Sequence, residues 1–462
     1  MRVEIAVVGA GFSGTMVAVH LLRLARSTSA DVHVSLYEQG GAPGRGHAYG
    51  TTSPIHLLNV PAGRMSAFTD APGHFLDWAR ARDASVLSDA FLPRHDYGEY
   101  LAEILNRETK ESEGRLQIHS AEVLDVESTS DGLRLRLRSG PARSASRLVL
   151  ATGHPLPAPP VPLDRAVLDG GRYKENPWDS AALDQLPNDA SLLLIGSGLT
   201  AVDVLLESRR TGFRGVIHLL SRHGLLPLPH DGADAPRSGM PADFPRGHLL
   251  SMMKRLRQEA VRAEKSGEGW RSSLDSLRPA TQELWRSLDA AEKQRFLRHP
   301  RAYWEVHRHR VAPEIDEKVK VELQSGRVVR HAARVTAIGV SRGGLRVAIA
   351  PRGGVTAKEL LVQRVINCTG PNTGVEMCRS PLTLKLLKAR VCRPDEVGIG
   401  LACDADGALI DSVGRASDRL FTLGPLRKGE LWESTAVPEL RVQAERLSRR
   451  LMGGLNSKQS SQ

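Results

Sequence analysis

Cysteine is scarce in this sequence. Its 462 residues carry four, Cys368, Cys378, Cys392 and Cys403, all late in the chain, and no two are spaced as CxxC or CxxxxC. That spacing excludes the adjacent redox-active dithiol of disulfide-reducing flavoenzymes and reads as buried or free thiols in a reducing compartment. No apolar run approaches membrane-spanning length, and no charged and apolar leader precedes the first strand. The expectation is therefore a cytoplasmic protein without a membrane partner. The net charge is +11, but the arginines are scattered, with no dense basic run interleaved with aromatics. Nucleic acid is not the expected partner; anionic cofactors and substrates suit a basic surface equally well. No repeat of solenoid length is present, and no His/Cys cluster has metal-ligand spacing.

What is present begins at Ile5. The apolar run Ile5 to Val8 leads into Gly9, Gly11 and Gly14, spaced as GxGxxG, and then into an amphipathic helical pattern. Strand, glycines, helix is the context that a dinucleotide fingerprint requires. Gly9 makes the tight turn, Gly11 lets the backbone approach a pyrophosphate, and Gly14 packs helix on strand. The helix N-terminus then offers free N–H groups to phosphate. A second run, Val32 to Tyr37, ends in Glu38, placed to accept from a ribose 2′-hydroxyl and to repel a 2′-phosphate. The loop Gly40 to Tyr49 is too glycine-rich for a regular element, and its Arg45 is within reach of cofactor phosphates. The stretch His56 to Phe68 reads as irregular backbone lining something, although Asn59 and Arg64 fit a solvated loop equally well.

Helical patterns follow at Gly73 to Arg80 and Tyr97 to Arg107, then a β-rich stretch from Leu116 to Leu137. Leu148 to Leu150 run into A-T-G-H-P at Ala151 to Pro155, and the proline-rich Pro155 to Pro162 reads as the exit to a second domain. There Ser191 to Ile195 is followed by G-S-G-L-T-A, with Gly196, Gly198 and Ala201 as a second fingerprint. The next strand, Val216 to Leu220, ends in Ser221, Arg222 and His223 where the first copy had Glu38. Arg222 is either an exposed strand-end residue or the partner of a 2′-phosphate. Asp243 to about Asp316 is helical in period and rich in Arg, Trp and His. Its polar groups either satisfy one another between packed helices or line a pocket for an anion. Val365 and Ile366 run into N-C-T-G-P, which repeats the first turn and is expected to return the chain to the first domain. Leu420 to Arg441 is a strand, a Gly-Pro turn and a helix placed to close over a flavin.

These residues resemble the flavoproteins with two dinucleotide-binding domains, and within them a bacterial FAD/NAD(P)-binding family. The resemblance rests on G-A-G-F-S-G, H-A-Y-G, H-L-L-N-V-P-A-G-R-M-S-A-F, A-T-G-H-P, G-S-G-L-T-A-V-D, R-H-R-V-A-P and L-W-E-S-T-A-V-P-E. The chain is more distantly similar to class B flavin monooxygenases and amino-acid N-hydroxylases. The class B linker fingerprint, F-x-G-x-x-x-H-x-x-x-W, lies on Leu168 to Trp178 with Gly170 and Trp178 in place, but Leu168 and Lys174 replace its aromatic and its histidine. That departure counts against Baeyer–Villiger chemistry and bears less on N-hydroxylation.

The expected fold is α/β, with two Rossmann-like domains for FAD and NADPH, the second inserted in the first and itself carrying a helical insertion. The boundaries are 1–160 and 364–454 for the FAD domain, 161–363 for the NADPH domain with its insertion at about 243–316, and a disordered tail at 455–462. The candidate FAD-binding residues are Gly9, Gly11, Phe12, Ser13, Gly14, Glu38, Gln39, Arg45, Gly46, Leu58, Asn59, Val60, Met65, Val123, Thr152, Gly153, Gly424, Pro425 and Trp432. The candidate NADPH-binding residues are Gly196, Ser197, Gly198, Leu199, Thr200, Ser221, Arg222 and His223. No acid/base pair or nucleophile stands out, as suits chemistry borne by the flavin. The expected activity is NADPH-dependent monooxygenation of a small polar substrate by O2 through a flavin hydroperoxide. An NADPH:acceptor oxidoreductase and a non-catalytic redox sensor are the alternatives.

Overall fold

The computed structural model describes residues 2–231, 239–354, 356–372, 374 and 380–456. Two sheets organise it. The first has six strands in the order Ala408–Ile410, Ala416–Thr422, Arg147–Leu150, Val3–Val8, Val32–Glu38, Leu116–Ser120. All neighbours in it pair in parallel except the edge strand Ala408–Ile410. Its central strands are buried on both faces, so they read as continuous apolar runs rather than alternating ones. Helix Phe12–Thr28 covers one face and ends where Ser29 turns left-handed, its N–H donating to the carbonyls of Ala25 and Arg26. The C-terminal helix Val437–Asn456 lies on that helix. Leu440, Ala444, Leu447 and Leu451 enter the same core, and Ser448 Oγ donates to the Val17 carbonyl at 3.3 Å. A three-stranded antiparallel unit, Val123–Thr129, Gly132–Leu137 and Arg143–Ala145, covers the other face.

The second sheet has seven strands in the order Lys358–Val362, Gly344–Pro351, Val328–Ser341, Ile217–Ser221, Leu192–Ile195, Arg364–Asn367, Tyr173–Lys174. The long strand Val328–Ser341 serves two partners. Val328 to Ala332 pair in parallel with Ile217–Ser221, and from Ala333 the strand pairs antiparallel with Gly344–Pro351. A parallel dinucleotide-type sheet thus carries an antiparallel extension at one edge.

One expected boundary is corrected. Arg364–Asn367, read as the return to the first domain, pairs with Leu192–Ile195 and with Tyr173–Lys174 in the second sheet. The chain returns only beyond it. The reason lies in the turns. A β-carbon on Gly9 would sit 2.3 Å from the carbonyl oxygen of Ala151, and one on Gly196 would sit 2.1 Å from that of Cys368. Each strand-plus-TG unit therefore packs under its own domain's first glycine, and the repeat marks a device used once per domain. The outgoing and returning segments also bond to each other: Asn367 Nδ2 donates to the Ala158 carbonyl at 2.8 Å.

Between Ile217–Ser221 and Val328–Ser341 the described residues make six α-helices, the first five being Leu249–Lys265, Gly269–Leu277, Thr281–Ser287, Ala290–Arg298 and Arg301–Arg308. These five share a core of their own around Leu256, Leu274, Trp285 and Phe296, which also takes in Val397 and Trp432 from the returning chain. Helix Pro313–Gln324 then packs back on the second domain through Ile315 and Val319. The expected tail is helical up to Asn456, and 457–462 lie outside the described residues, as does Cys378. Among the described residues no helix is long and apolar enough to cross a membrane.

Candidate active site

The first fingerprint forms the turn between Val3–Val8 and helix Phe12–Thr28. Gly9 has φ +103°, a conformation that L side chains rarely adopt. A β-carbon on Gly14 would fall 1.9 Å from the Gly9 carbonyl oxygen, so the helix lies directly against the turn. Gly11 is the N-terminal cap and no side chain caps the helix. The first-turn N–H groups are left for an anion.

This turn opens into a cavity of about 1250 Å³. That is beyond the roughly 300–1,000 Å³ of drug-sized ligand sites and suits an extended dinucleotide. Of the expected FAD residues, Gly9, Gly11, Phe12, Ser13, Glu38, Gln39, Arg45, Gly46, Val123, Thr152, Gly153 and Pro425 line it. The Glu38 carboxylate accepts from the Ala10 N–H at 3.0 Å and the Gly41 N–H at 3.1 Å. It therefore stands at the glycine turn, where a ribose would lie, and stiffens the loop that follows. The residues present fit a flavin adenine dinucleotide: an uncapped helix start for its pyrophosphate, an acid for its ribose, and a cavity long enough for both ends.

The other expected residues lie elsewhere. Gly14 supports the turn from beneath. Leu58 and Met65 are buried in the first core, and Val60 packs against it. The Asn59 carbonyl is 3.0 Å from His230 Nε2, while Arg64 is exposed. Gly424 is buried, its N–H donating to Gln443 Oε1 at 3.0 Å, and it packs near Ser13 at the helix start. Trp432 does not line the cavity and is a correction. The chain makes a γ-turn there, with φ +53° and ψ −66° and the Glu433 N–H bonded to the Leu431 carbonyl. The turn throws the indole into the helical insertion, its ring centroid 5.0 Å from that of Trp285 and 4.9 Å from that of Phe296.

The second fingerprint is a conformational copy of the first. Gly196 has φ +115°, and Gly198 caps helix Leu199–Arg210 at φ −83° and ψ −167°, against −74° and −167° for Gly11. Again no side chain caps the helix, and Ala201 is fully buried at the third small position. Leu199 and Thr200 form the first turn. Ser197 Oγ bonds to Ser221 Oγ at 2.7 Å, and Ser221 Oγ accepts from the Gly224 N–H at 3.0 Å. Arg222 is exposed and His223 half-buried beside it. None of these residues lines the large cavity; they lie at the ends of the second sheet's parallel strands, where a separate nucleotide belongs.

His56, which opens the stretch expected to line something, does line the cavity, whereas sequence reasoning missed His154, Trp178 and Phe213 in its wall. Burial pushes the His154 imidazole down to about 4, with Lys428 and His47 acting in the same direction, so it is neutral near pH 7. Beyond Pro425, the returning chain meets the helical insertion in a dense set of ion pairs. Arg278 holds Glu439 through two hydrogen bonds of 2.8 and 3.2 Å. Trp304 Nε1 donates to Glu433 Oε1 at 3.3 Å, with Arg308 Nη2 at 3.6 Å from the same carboxylate. Burial pushes Glu433 up, but Arg308, His309 and Trp304 outweigh it and hold the carboxyl below its usual range. Lys428 sits 4.8 Å from the Trp432 ring centroid, and burial with nearby Arg301 pushes its amine down to about 8. Many insertion charges thus pair with one another or with the returning chain. Among the described residues no His/Cys/Asp/Glu group has metal-site geometry.

Residues 6–155 match the FAD-NAD(P)-binding family NAD_binding_9. No curated protein sequence matches the chain. Among solved structures, the chain is similar to ornithine hydroxylase from Pseudomonas aeruginosa, with 18% identity, a TM-score of 0.67, and 98% and 100% of the two chains covered. L-lysine 6-monooxygenase from Pseudomonas syringae matches with 17% identity, TM-score 0.67 and the same coverage. Bacillithiol disulfide reductase from Staphylococcus aureus matches with 12% identity and TM-score 0.57, over 98% and 99% of the chains. Likeness at such identities is likeness of fold. The N-terminal part of the chain is thus an FAD/NAD(P)-binding domain, set in the fold shared by flavin-dependent hydroxylases and disulfide reductases.

Proposed function

We propose that this protein is an FAD-containing, NADPH-dependent monooxygenase that oxygenates nitrogen or sulfur in a small polar substrate. The observation that carries the reading is the pair of matching glycine turns. One opens into a dinucleotide-sized cavity with Glu38 at the end of the next strand; in the other the matching strand end is Ser221, with Arg222 directly after it. When bound, the flavin supplies the hydride acceptor and the oxygen-activating centre. The chain's own contribution is binding, orientation and dryness. First-turn N–H groups hold the pyrophosphate and Glu38 accepts from ribose hydroxyls. The returning segment closes the cavity through Pro425, Leu426 and Thr435, and the insertion clamps that segment through Arg278 and Arg308. Such closure keeps water from reactive intermediates.

The thiols support oxygenation over disulfide reduction. The three described cysteines are buried and unbridged, and burial pushes Cys392 and Cys403 up to about 12. None is a poised thiolate.

The test follows NADPH oxidation, O2 uptake and H2O2 release by the yellow protein with a panel of amines, amino acids and thiols. The reading expects NADPH to reduce the flavin and one substrate class to divert O2 from H2O2 into an oxygenated product. Reduction with all O2 recovered as H2O2 and electrons passing to a quinone would make the protein an acceptor oxidoreductase. Bound FAD that NADPH fails to reduce would make it a sensor.

A further inference from the structure

The antiparallel extension of the second sheet brings arginines to the mouth of the second fingerprint. Arg222 follows strand Ile217–Ser221, whose last residue is in register with Ala332. The turn after Arg222 folds onto that neighbour: a β-carbon on Gly224 would lie 3.2 Å from Ala332 Cβ. Arg334 stands two residues along the same strand, hence on the same face as Ala332. Arg352 follows strand Gly344–Pro351, and its N–H donates to the Ala332 carbonyl at 2.7 Å. Three arginines from three neighbouring strands therefore stand at the end of Ile217–Ser221, each close enough to act on the His223 imidazole there.

All three are exposed, and among the described residues none makes an ion pair with a carboxylate. Instead Arg352 Nη1 donates to His223 Nδ1 at 2.7 Å. Burial and the positive field of Arg352, Arg222 and Arg334 hold that imidazole below its ordinary value. Converging cations without an acid repel one another and are relieved by an anion, and guanidinium forks match phosphate oxygens in pairs.

We propose that Arg334 and Arg352 complete, with Arg222, a clamp for the 2′-phosphomonoester of NADPH, so that choice between NADPH and NADH rests largely on the antiparallel extension. This inference rests on the NADPH reading above. The ribose of a nucleotide on the Gly196 turn lies at the end of the next strand, where the three arginines meet. His223 accepts from Arg352 and fixes that guanidinium before the phosphate arrives.

The experiment compares flavin reduction by NADPH and by NADH in the wild-type holoenzyme, Arg334→Ala and Arg352→Ala, at one ionic strength. Competition by 2′,5′-ADP and by 5′-AMP is measured alongside. Both coenzymes share the pyrophosphate, so the ratio isolates the 2′-phosphate. Each variant is expected to weaken NADPH about tenfold or more, to leave NADH unchanged, and to lose the advantage of 2′,5′-ADP over 5′-AMP. Unchanged FAD content and melting temperature verify the fold of these surface variants. A wild type that prefers NADPH, with a preference surviving both substitutions, overturns the clamp alone. A wild type reduced equally by both coenzymes overturns the NADPH reading and the clamp with it.

Discussion

Arg94 Nη1 lies 2.8 Å from Asp203 Oδ2, and the same guanidinium donates through Nε to the Leu57 carbonyl at 2.9 Å. Arg94 begins helix Arg94–Glu111 of the first domain, and Asp203 lies in helix Leu199–Arg210, directly behind the second fingerprint. One guanidinium therefore ties the irregular H-L-L-N-V-P stretch to the second nucleotide site. Asp203 is buried and Arg94 is largely shielded beside it, and burial pushes Asp203 up against the opposing pull of Arg94 and His56. Removing one partner of such a pair leaves a charge with no solvent. Asp203→Asn is expected to lower unfolding free energy by about 3 kcal/mol, read as a drop in the urea midpoint. The double variant Arg94→Met/Asp203→Leu is expected to recover most of it.

The two first glycines make a paired prediction. Alanine at Gly9 or Gly196 meets both a positive φ and a carbonyl oxygen within 2.3 Å of the new methyl. Gly9→Ala is expected to purify colourless, because the turn that carries the pyrophosphate shifts. Gly196→Ala is expected to stay yellow while reduction by NADPH falls on the order of 100-fold, the usual cost of moving a reactant by about 1 Å. Absorbance at purification and single-turnover reduction separate the two.

Glu38 serves the loop and the cofactor with one carboxylate. Its hydrogen bonds to the N–H groups of Ala10 and Gly41 are charge-assisted, as are those it offers a ribose. Glu38→Ala is expected to weaken FAD by about 10- to 100-fold, as follows from losing roughly 1.5–3 kcal/mol of such bonds. Reconstitution of the apoprotein, followed by flavin fluorescence quenching, measures it. Glu38→Gln keeps an acceptor and should fall between the two.

Much of the fold and of the first nucleotide site was legible because glycine reports backbone geometry directly. Gly9 and Gly196 stand where φ is positive and where any β-carbon strikes a carbonyl, so the residue type names the turn. Arg364–Asn367 was misassigned because a strand followed by a TG turn looks the same in either domain; only pairing with Leu192–Ile195 decides. Trp432 was misplaced because a γ-turn at a tryptophan leaves no compositional trace, and its direction is set by the Trp285 and Phe296 surface it reaches. Arg334, within a strand, and Arg352, just past one, are ordinary arginines until the sheet order brings them to Arg222. The Arg278–Glu439 and Arg308–Glu433 pairs join segments far apart in the chain, a relationship that charge content alone does not encode.

His20 sets a pH dependence on the first domain. It lies on helix Phe12–Thr28, buried to 8% exposure, edge-on to Phe68 at 6.2 Å between ring centroids, and its Nε2 has no hydrogen-bond partner among the described residues. Burial pushes its pKa from 6.5 to about 4, against the opposing pull of Glu445. Above pH 6.5 the imidazole is neutral in both the folded and unfolded chain and costs nothing. Between about 6.5 and 4 the unfolded chain takes up a proton that the folded protein refuses, so stability falls as the pH falls. Below about 4 both forms are protonated and the loss is complete, at roughly 3 kcal/mol for a shift of this size. Urea unfolding from pH 8 to pH 4 should show that decline in the wild type, and His20→Leu should flatten it by the same amount. An identical decline in both proteins would assign the acid sensitivity to other groups and leave His20 with a packing role only.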